Sequence, residues 1–356
     1  MIACNRTRRP DGAGAGRRGF LRAAAVAALA VSVLGAPQAQ AQEEQNFILA
    51  TASTGGTYYP VGVALATLIK VKLQPKDKIN MSAISSAGSG ENVKLLRENE
   101  AQFAILQGLF GYYAWEGKGP VEQEGKQEHL RSVSMLWPNV DHFVVKKEYA
   151  KTGTIDDLAE TKGMAWAMGS KNSGTIGSNR TILANLGYDM ENDFELVYVG
   201  YGPSAEALQN GQIAGMSTPA GDPVGAVTQA FASMGADAIA LLEFTPEQAE
   251  KADGGMGLWV PYTVPAGTYP GLEEDTDTIA QPNFLATTAS VPEEEVYKIT
   301  KTIYENLGFL QNIHPATKAM SLERAIGGLP APLHPGALRY YEEVGVTIPD
   351  RLRPKG

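Results

Sequence analysis

The sequence reads as an α/β protein of two successive lobes with a ligand cleft between them. Three observations point there. From position 47 onward, short apolar strand-like runs alternate with helical stretches of about 10 to 15 residues, the pattern of βαβ units and a parallel sheet. The alternation breaks and then restarts after position 140. Three turns rich in glycine and hydroxyl residues stand where a strand meets a helix start: 54–57 and 86–90 in the first half, 173–175 in the second.

Taken in order, residues 47–51 read as a buried strand. Thr54-Gly55-Gly56-Thr57 is a turn, and 58–72 is an apolar-periodic helix. A strand at 79–84 leads into Ser86-Ala87-Gly88-Ser89-Gly90, a helix at 91–99 and a strand at 103–107 that ends on Gln107. In the second half, 142–146 is a strand and 155–161 a short helix with Thr154 as N-cap. A strand at 164–168 precedes Ser173-Gly174-Thr175, which opens a helix running to Leu186, with Gly187 as its stop. Strands follow at 196–199, 213–217 and 238–242, alternating with helices at 203–209, where Pro203 suits a first turn, and 222–234. Residues 254–271, rich in Gly, Pro and Tyr, read as a connection, and 278–288 as an extended segment. A long helix spans 291–310 with Ser290 as N-cap, and a last one, 336–344, lies between prolines. A final helix with no sheet of its own must pack on something earlier. The expected lobes are therefore 42–143 plus 262–356, and 144–261.

Residues 1–41 read as an export signal rather than as part of the fold. Arg6, Arg8, Arg9, Arg17 and Arg18 precede an apolar run at 23–34, followed by the small-x-small site Ala39-Gln40-Ala41. The run is too short to cross a hydrocarbon core of roughly 30 Å as a helix. Arg17-Arg18-Gly19-Phe20-Leu21 favours the twin-arginine route and a periplasmic destination. Removing 1–41 takes away six arginines and one aspartate, leaving 24 basic and 38 acidic residues, net −14. That balance argues against a nucleic-acid partner, which rewards basic patches. The single cysteine, Cys4, falls in the signal, so the mature chain carries neither disulfides nor thiol chemistry.

Backbone N–H groups at a helix start, with the positive end of the helix dipole, make an anion site. In open α/β sheets such sites lie beyond the carboxyl ends of strands. The three turns together thus suggest a cleft that holds a negative group between the halves. Tyr58, Tyr59, Trp137 and Tyr201 fall at the expected cleft edges, and Gln107 ends a strand facing it. No nucleotide motif is present. The four histidines, His129, His142, His314 and His334, are scattered without metal-ligand spacing, and no Gly-x-Ser-x-Gly occurs. Neither a catalytic set nor a cofactor or metal site is expected, and the chain does not read as an enzyme.

Several segments resemble the TAXI family of TRAP-transporter solute receptors. They are Thr54-Gly55-Gly56-Thr57-Tyr58-Tyr59-Pro60, Ser86-Ala87-Gly88-Ser89-Gly90-Glu91-Asn92-Val93, Ala104-Ile105-Leu106-Gln107, Ser173-Gly174-Thr175 and the tail Pro332-Leu333-His334-Pro335-Gly336-Ala337. The resemblance covers about 47–350. It departs where Ser89 separates two glycines and where Pro219 is inserted in Thr218-Pro219-Ala220-Gly221-Asp222-Pro223. It implies a type II periplasmic-binding-protein fold with a hinge, a TRAP-type membrane permease as partner, and a small carboxylate ligand: glutamate, 2-oxoglutarate or a related dicarboxylate. It implies ligand contacts at Thr54, Gly56, Thr57, Tyr58, Ser86, Gly88, Ser89 and Gln107, faced by Ser173, Gly174, Thr175, Tyr201 and Asp222. Neutral donors must then do most of the anion binding; the one arginine that could contribute is Arg180, about two helical turns from the cleft. An extracytoplasmic sensing module is the alternative, and an enzyme on a two-lobed α/β fold a more distant one.

Overall fold

The structure, a computed structural model, describes residues 44–354; the expected signal at 1–41 lies outside the described residues. The strands are β1 (Gln45–Ala50), β2 (Ile79–Ile84), β3 (Phe103–Gln107), β4 (Leu130–Val140), β5 (Phe143–Lys146), β6 (Ala165–Ala167), β7 (Glu195–Leu196), β8 (Gly215–Ser217), β9 (Ile239–Leu241), β10 (Val260–Val264) and β11 (Thr276–Thr288). The helices are α1 (Tyr58–Asp77), α2 (Ser89–Arg97), α3 (Gly108–Glu116), α4 (Gly174–Leu186), α5 (Met190–Asp193), α6 (Tyr201–Gln209), α7 (Gly225–Met234), α8 (Pro246–Asp253), α9 (Glu293–Glu305), α10 (Leu307–Ile313) and α11 (Pro335–Glu343).

Two sheets result. The first runs β10-β11-β3-β1-β2, with β4 alongside β11; the second runs β7-β6-β8-β5-β9. In the first, β1 is parallel to β2 and β3, while the long β11 is antiparallel to β3, β4 and β10. In the second, β6 is parallel to β7 and β8, and β5 is antiparallel to β8 and β9. The chain passes from the first sheet to the second at Asp141-His142, between β4 and β5, and returns along 254–259, between α8 and β10. This is the α/β arrangement the alternation predicts.

The sequence explains most elements directly. β3 is a continuous apolar run that is buried along its whole length, as a strand covered on both faces must be. Leu65, Leu68 and Ile69 of α1 pack into one cluster with Val296 and Ile299 of α9 and with Tyr340 and Tyr341 of α11. Tyr341 donates to the Val133 carbonyl of β4 at 2.9 Å, so the tail closes on the first sheet.

Other elements depart from expectation. β4 and β10 were hidden by their prolines. Pro138 of β4 stands opposite Pro282 of β11, and Pro261 lies in β10 at the sheet edge, where a missing N–H costs least. α3 follows β3 with no turn between them. The helix expected at 222–234 begins only at Gly225. The expected 291–310 helix is broken at Asn306, whose φ of −131° and ψ of 29° lie outside the helical region. Ser290 pairs with Thr288 instead of capping, and Thr154 gives no cap bond to the 3-10 turns at Ile155–Thr161.

Candidate functional site: a cavity between two sheets

Four helix starts meet around one cavity. α1 begins at Tyr58 and α2 at Ser89, both following strands of the first sheet; α4 begins at Gly174 and α6 at Tyr201, both following strands of the second. The wall includes Gly56, Thr57, Tyr58, Gly88, Ser89, Gln107, Ser173, Gly174, Thr175 and Tyr201. The N–H groups of Tyr58, Ser89, Gly174 and Thr175 donate to no protein group among the described residues. They sit in first turns, where no intrahelical acceptor exists. The cavity is small, about 40 Å³. Its wall carries neither an acidic nor a basic side chain.

The two sides touch directly. Gln107 Nε2, at the end of β3, donates to the Gly174 carbonyl and to Ser178 Oγ, both at 2.8 Å. Tyr201 N–H donates to Ser53 Oγ at 3.1 Å, Ala226 N–H to the Gly55 carbonyl at 3.1 Å, and Glu91 N–H to the Asn172 carbonyl at 2.9 Å. Thr57 Oγ1 donates to the Gly221 carbonyl. These bonds tie the two sides of the cavity together.

Individual wall groups are held in fixed roles. Ser173 Oγ accepts from Ile176 N–H at 3.1 Å and so caps α4. Thr175 Oγ1 lies 2.7 Å from Tyr201 OH, which donates to the Pro219 carbonyl at 2.7 Å. Tyr58 OH donates to Asn283 Oδ1, and its ring meets Trp137 edge to face. Burial pushes the Tyr58 and Tyr201 hydroxyls well above their ordinary value, so both remain protonated donors.

Seven residues singled out from the sequence lie off the wall, Tyr59 among them. Thr54 and Gly55 form the outer part of their turn; a Cβ on Gly55 would stand 2.6 Å from the Gly202 nitrogen. Ser86 Oγ accepts from Gly88 N–H and stands 2.7 Å from Asn92 Oδ1, so it shapes the loop from behind. Trp137 is fully buried beneath Tyr58. Asp222 accepts from Tyr262 OH at 3.0 Å and lines a separate surface pocket. Arg180 pairs with Glu191 at 2.6 Å on an outer groove and does not reach the cavity.

Sequence reading missed Ser53, Asn139, Ser170 and Gly200, which also line the wall. Gly200 had a signal, because it precedes the Tyr201 helix. Asn139 had none, because β4 itself was not expected.

A family model for the NMT1-like family matches residues 49–345. The chain belongs to the NMT1-like family. The match spans every helix start that builds the cavity of this NMT1-like chain. Among solved structures, it is similar to MatC from Rhodopseudomonas palustris with bound malate, at 14% identity and TM-score 0.49, covering 85% of this chain and 96% of that one. It is also similar to the periplasmic aliphatic sulphonate binding protein SsuA from Escherichia coli, at 11% identity and TM-score 0.42, covering 85% and 84%. A TRAP periplasmic solute binding protein from Shewanella oneidensis with bound succinate matches at 10% identity and TM-score 0.43, covering 76% and 81%. These likenesses are distant, at 14% identity or less.

Proposed function

We propose that this NMT1-like protein is an exported solute receptor that captures a small carboxylate and delivers it to a membrane permease of the TRAP type. One observation carries the reading: four helix starts, two from each sheet's side, surround one cavity with no charged side chain on its wall. Such a cavity suits a small anion held by fixed neutral donors. Its wall offers no nucleophile–base pair, which supports binding rather than turnover. The moving bodies on this reading are 42–143 plus 262–356 and 144–261, hinged at the two passages between the sheets.

A ligand favours the shut form only by its differential affinity for it. Contacts made to both sides at once supply that difference. A thermal-shift screen of small organic acids on the exported chain tests the reading, because binding to the native state alone raises the melting point. Stabilisation by at least one carboxylate is expected. No shift with any acid, at concentrations far above a micromolar dissociation constant, would sink the proposal.

A further inference from the structure

We infer that Thr57 and Thr175 select a ligand that carries a hydrogen-bond donor, a hydroxyl or an ammonium, beside its anionic group: a hydroxy or amino acid, not a plain or keto acid. This ligand class rests on the receptor reading above and narrows it. Thr57, Thr175 and Tyr201 all line the cavity, and their hydroxyls gather around the segment 219–221.

Each of these hydroxyls has a single proton, and each proton is spent on the protein. Thr57 Oγ1 donates to the Gly221 carbonyl. Tyr201 OH donates to the Pro219 carbonyl at 2.7 Å. Thr175 Oγ1 lies 2.7 Å from Tyr201 OH; since the tyrosine proton goes to Pro219, the threonine proton must go to the tyrosine. Pro219 and Gly221 are buried, and neither carbonyl has another donor among the described residues. Turning either proton back toward the cavity would leave a buried carbonyl unpaired, which costs more than the new bond returns. Thr57 and Thr175 are themselves buried, so bulk water does not reach them.

Toward the cavity, Thr57 and Thr175 therefore present lone pairs alone, one from the first sheet's side and one from the second's. A ligand N–H or O–H set against them is matched. A keto oxygen there would face lone pairs with lone pairs, and a methylene would leave both oxygens desolvated without a partner. The anionic group has donors elsewhere on the wall. Ser53 and Ser173 accept backbone N–H bonds, from Tyr201 and Ile176, and keep their own protons for a ligand.

The test is titration calorimetry at pH 7 on the exported chain with two matched series. One is succinate, malate and aspartate; the other is glutarate, 2-oxoglutarate, 2-hydroxyglutarate and glutamate. At least one donor-bearing acid is expected to bind about tenfold or more tightly than the plain and keto acids of its series, because a site built to bond a substrate O–H or N–H rejects the analogue lacking it. Malate against aspartate, and 2-hydroxyglutarate against glutamate, tell a hydroxyl donor from an ammonium. If succinate, glutarate or 2-oxoglutarate binds as tightly as its donor-bearing counterparts, the inference fails while the receptor reading stands. Silence from every acid would remove both. Thr57→Val and Thr175→Val supply a second arm, since each keeps the shape of the wall and removes one acceptor. Each should cut the ratio of donor-bearing to plain-acid affinity by about tenfold, and Thr175→Ser, which keeps the oxygen, should hold it. An unchanged ratio in both valine variants would mark the threonines as structural and overturn the assignment.

Discussion

Asp141 stands at the first passage between the sheets, fully buried, with neither carboxylate oxygen hydrogen-bonded. Burial pushes its carboxyl up to about 8; the nearby Trp259 indole, on the return passage, offsets only part of that rise. Beside it, His142 is pushed down to about 4 by burial. Its bonds fit a neutral ring: Nδ1 donates to the Val140 carbonyl and Nε2 accepts from Tyr269 OH. His334 is likewise lowered to about 4. Between pH 4 and 6.5 the unfolded chain binds the histidine protons that the fold refuses, so these groups make stability rise with pH. Asp141 acts oppositely, because the fold keeps a proton that the unfolded chain has lost. Above pH 6.5 the histidine effect fades as the unfolded rings lose their last protons, and the Asp141 effect dominates. Urea denaturation should show stability falling by about 1 kcal/mol from pH 6.5 to 8, as one pKa unit is worth about 1.4 kcal/mol. Asp141→Asn should flatten that slope; an unchanged slope would refute the assignment. Gly174 gives a second residue-scale prediction. An added Cβ would meet Gln107 at 2.8 Å and Ser89 at 2.9 Å, both on the other side of the cavity. Gly174→Ala should therefore weaken ligand binding by tenfold or more through overpacking in the shut form. Its ligand-free melting point should stay close to wild type, and an equal loss in both would contradict this account.

At the scale of elements, α4 and α11, two of the four described α-helices with side-chain caps, use them at opposite ends of the molecule's chemistry. Ser173 caps α4 at the cavity, whereas His334 caps α11 in the tail through Nδ1, with Nε2 donating to the Val291 carbonyl. Replacing either by alanine should lower stability by about 1 kcal/mol, read by urea denaturation. Only Ser173→Ala should also weaken ligand binding, and a matching loss of affinity in His334→Ala would show that the two ends are coupled. Legibility varied with how local the determinant was. The α4 start and its Gly187 stop were readable because cap residues act within one turn. β3 was readable from its apolar run alone. β4 and β10 were not, since their pairing with β11 comes from residues more than 10 positions away and overrides their prolines.

At the scale of the whole molecule, direct bonds join the two sides of the cavity, including Gln107 to Gly174, Tyr201 to Ser53 and Glu91 to Asn172, and on the proposed reading they hold a shut form. Each is a modest net contributor, of order 1 kcal/mol. A bound ligand adds contacts to both sides, so it should shift the population toward this form. Small-angle scattering should record a smaller radius of gyration with ligand than without. An identical radius in both conditions would mean that the two sides do not separate.

What the sequence determined by itself was the alternation of elements, the α/β class and the glycine-hydroxyl turns at helix starts. Those depend on residues near one another along the chain: apolar periodicity, caps and turn chemistry. What only the tertiary structure decided was which of those turns share a cavity. It placed Trp137 beneath the wall, sent Asp222 to Tyr262 and brought Asn139 in on a strand that local pattern had hidden. The physical reason is that wall membership depends on how β4 and β11 lie together and on how the two passages set one sheet against the other. Contacts between residues far apart along the chain fix both, and no local stretch of sequence encodes them.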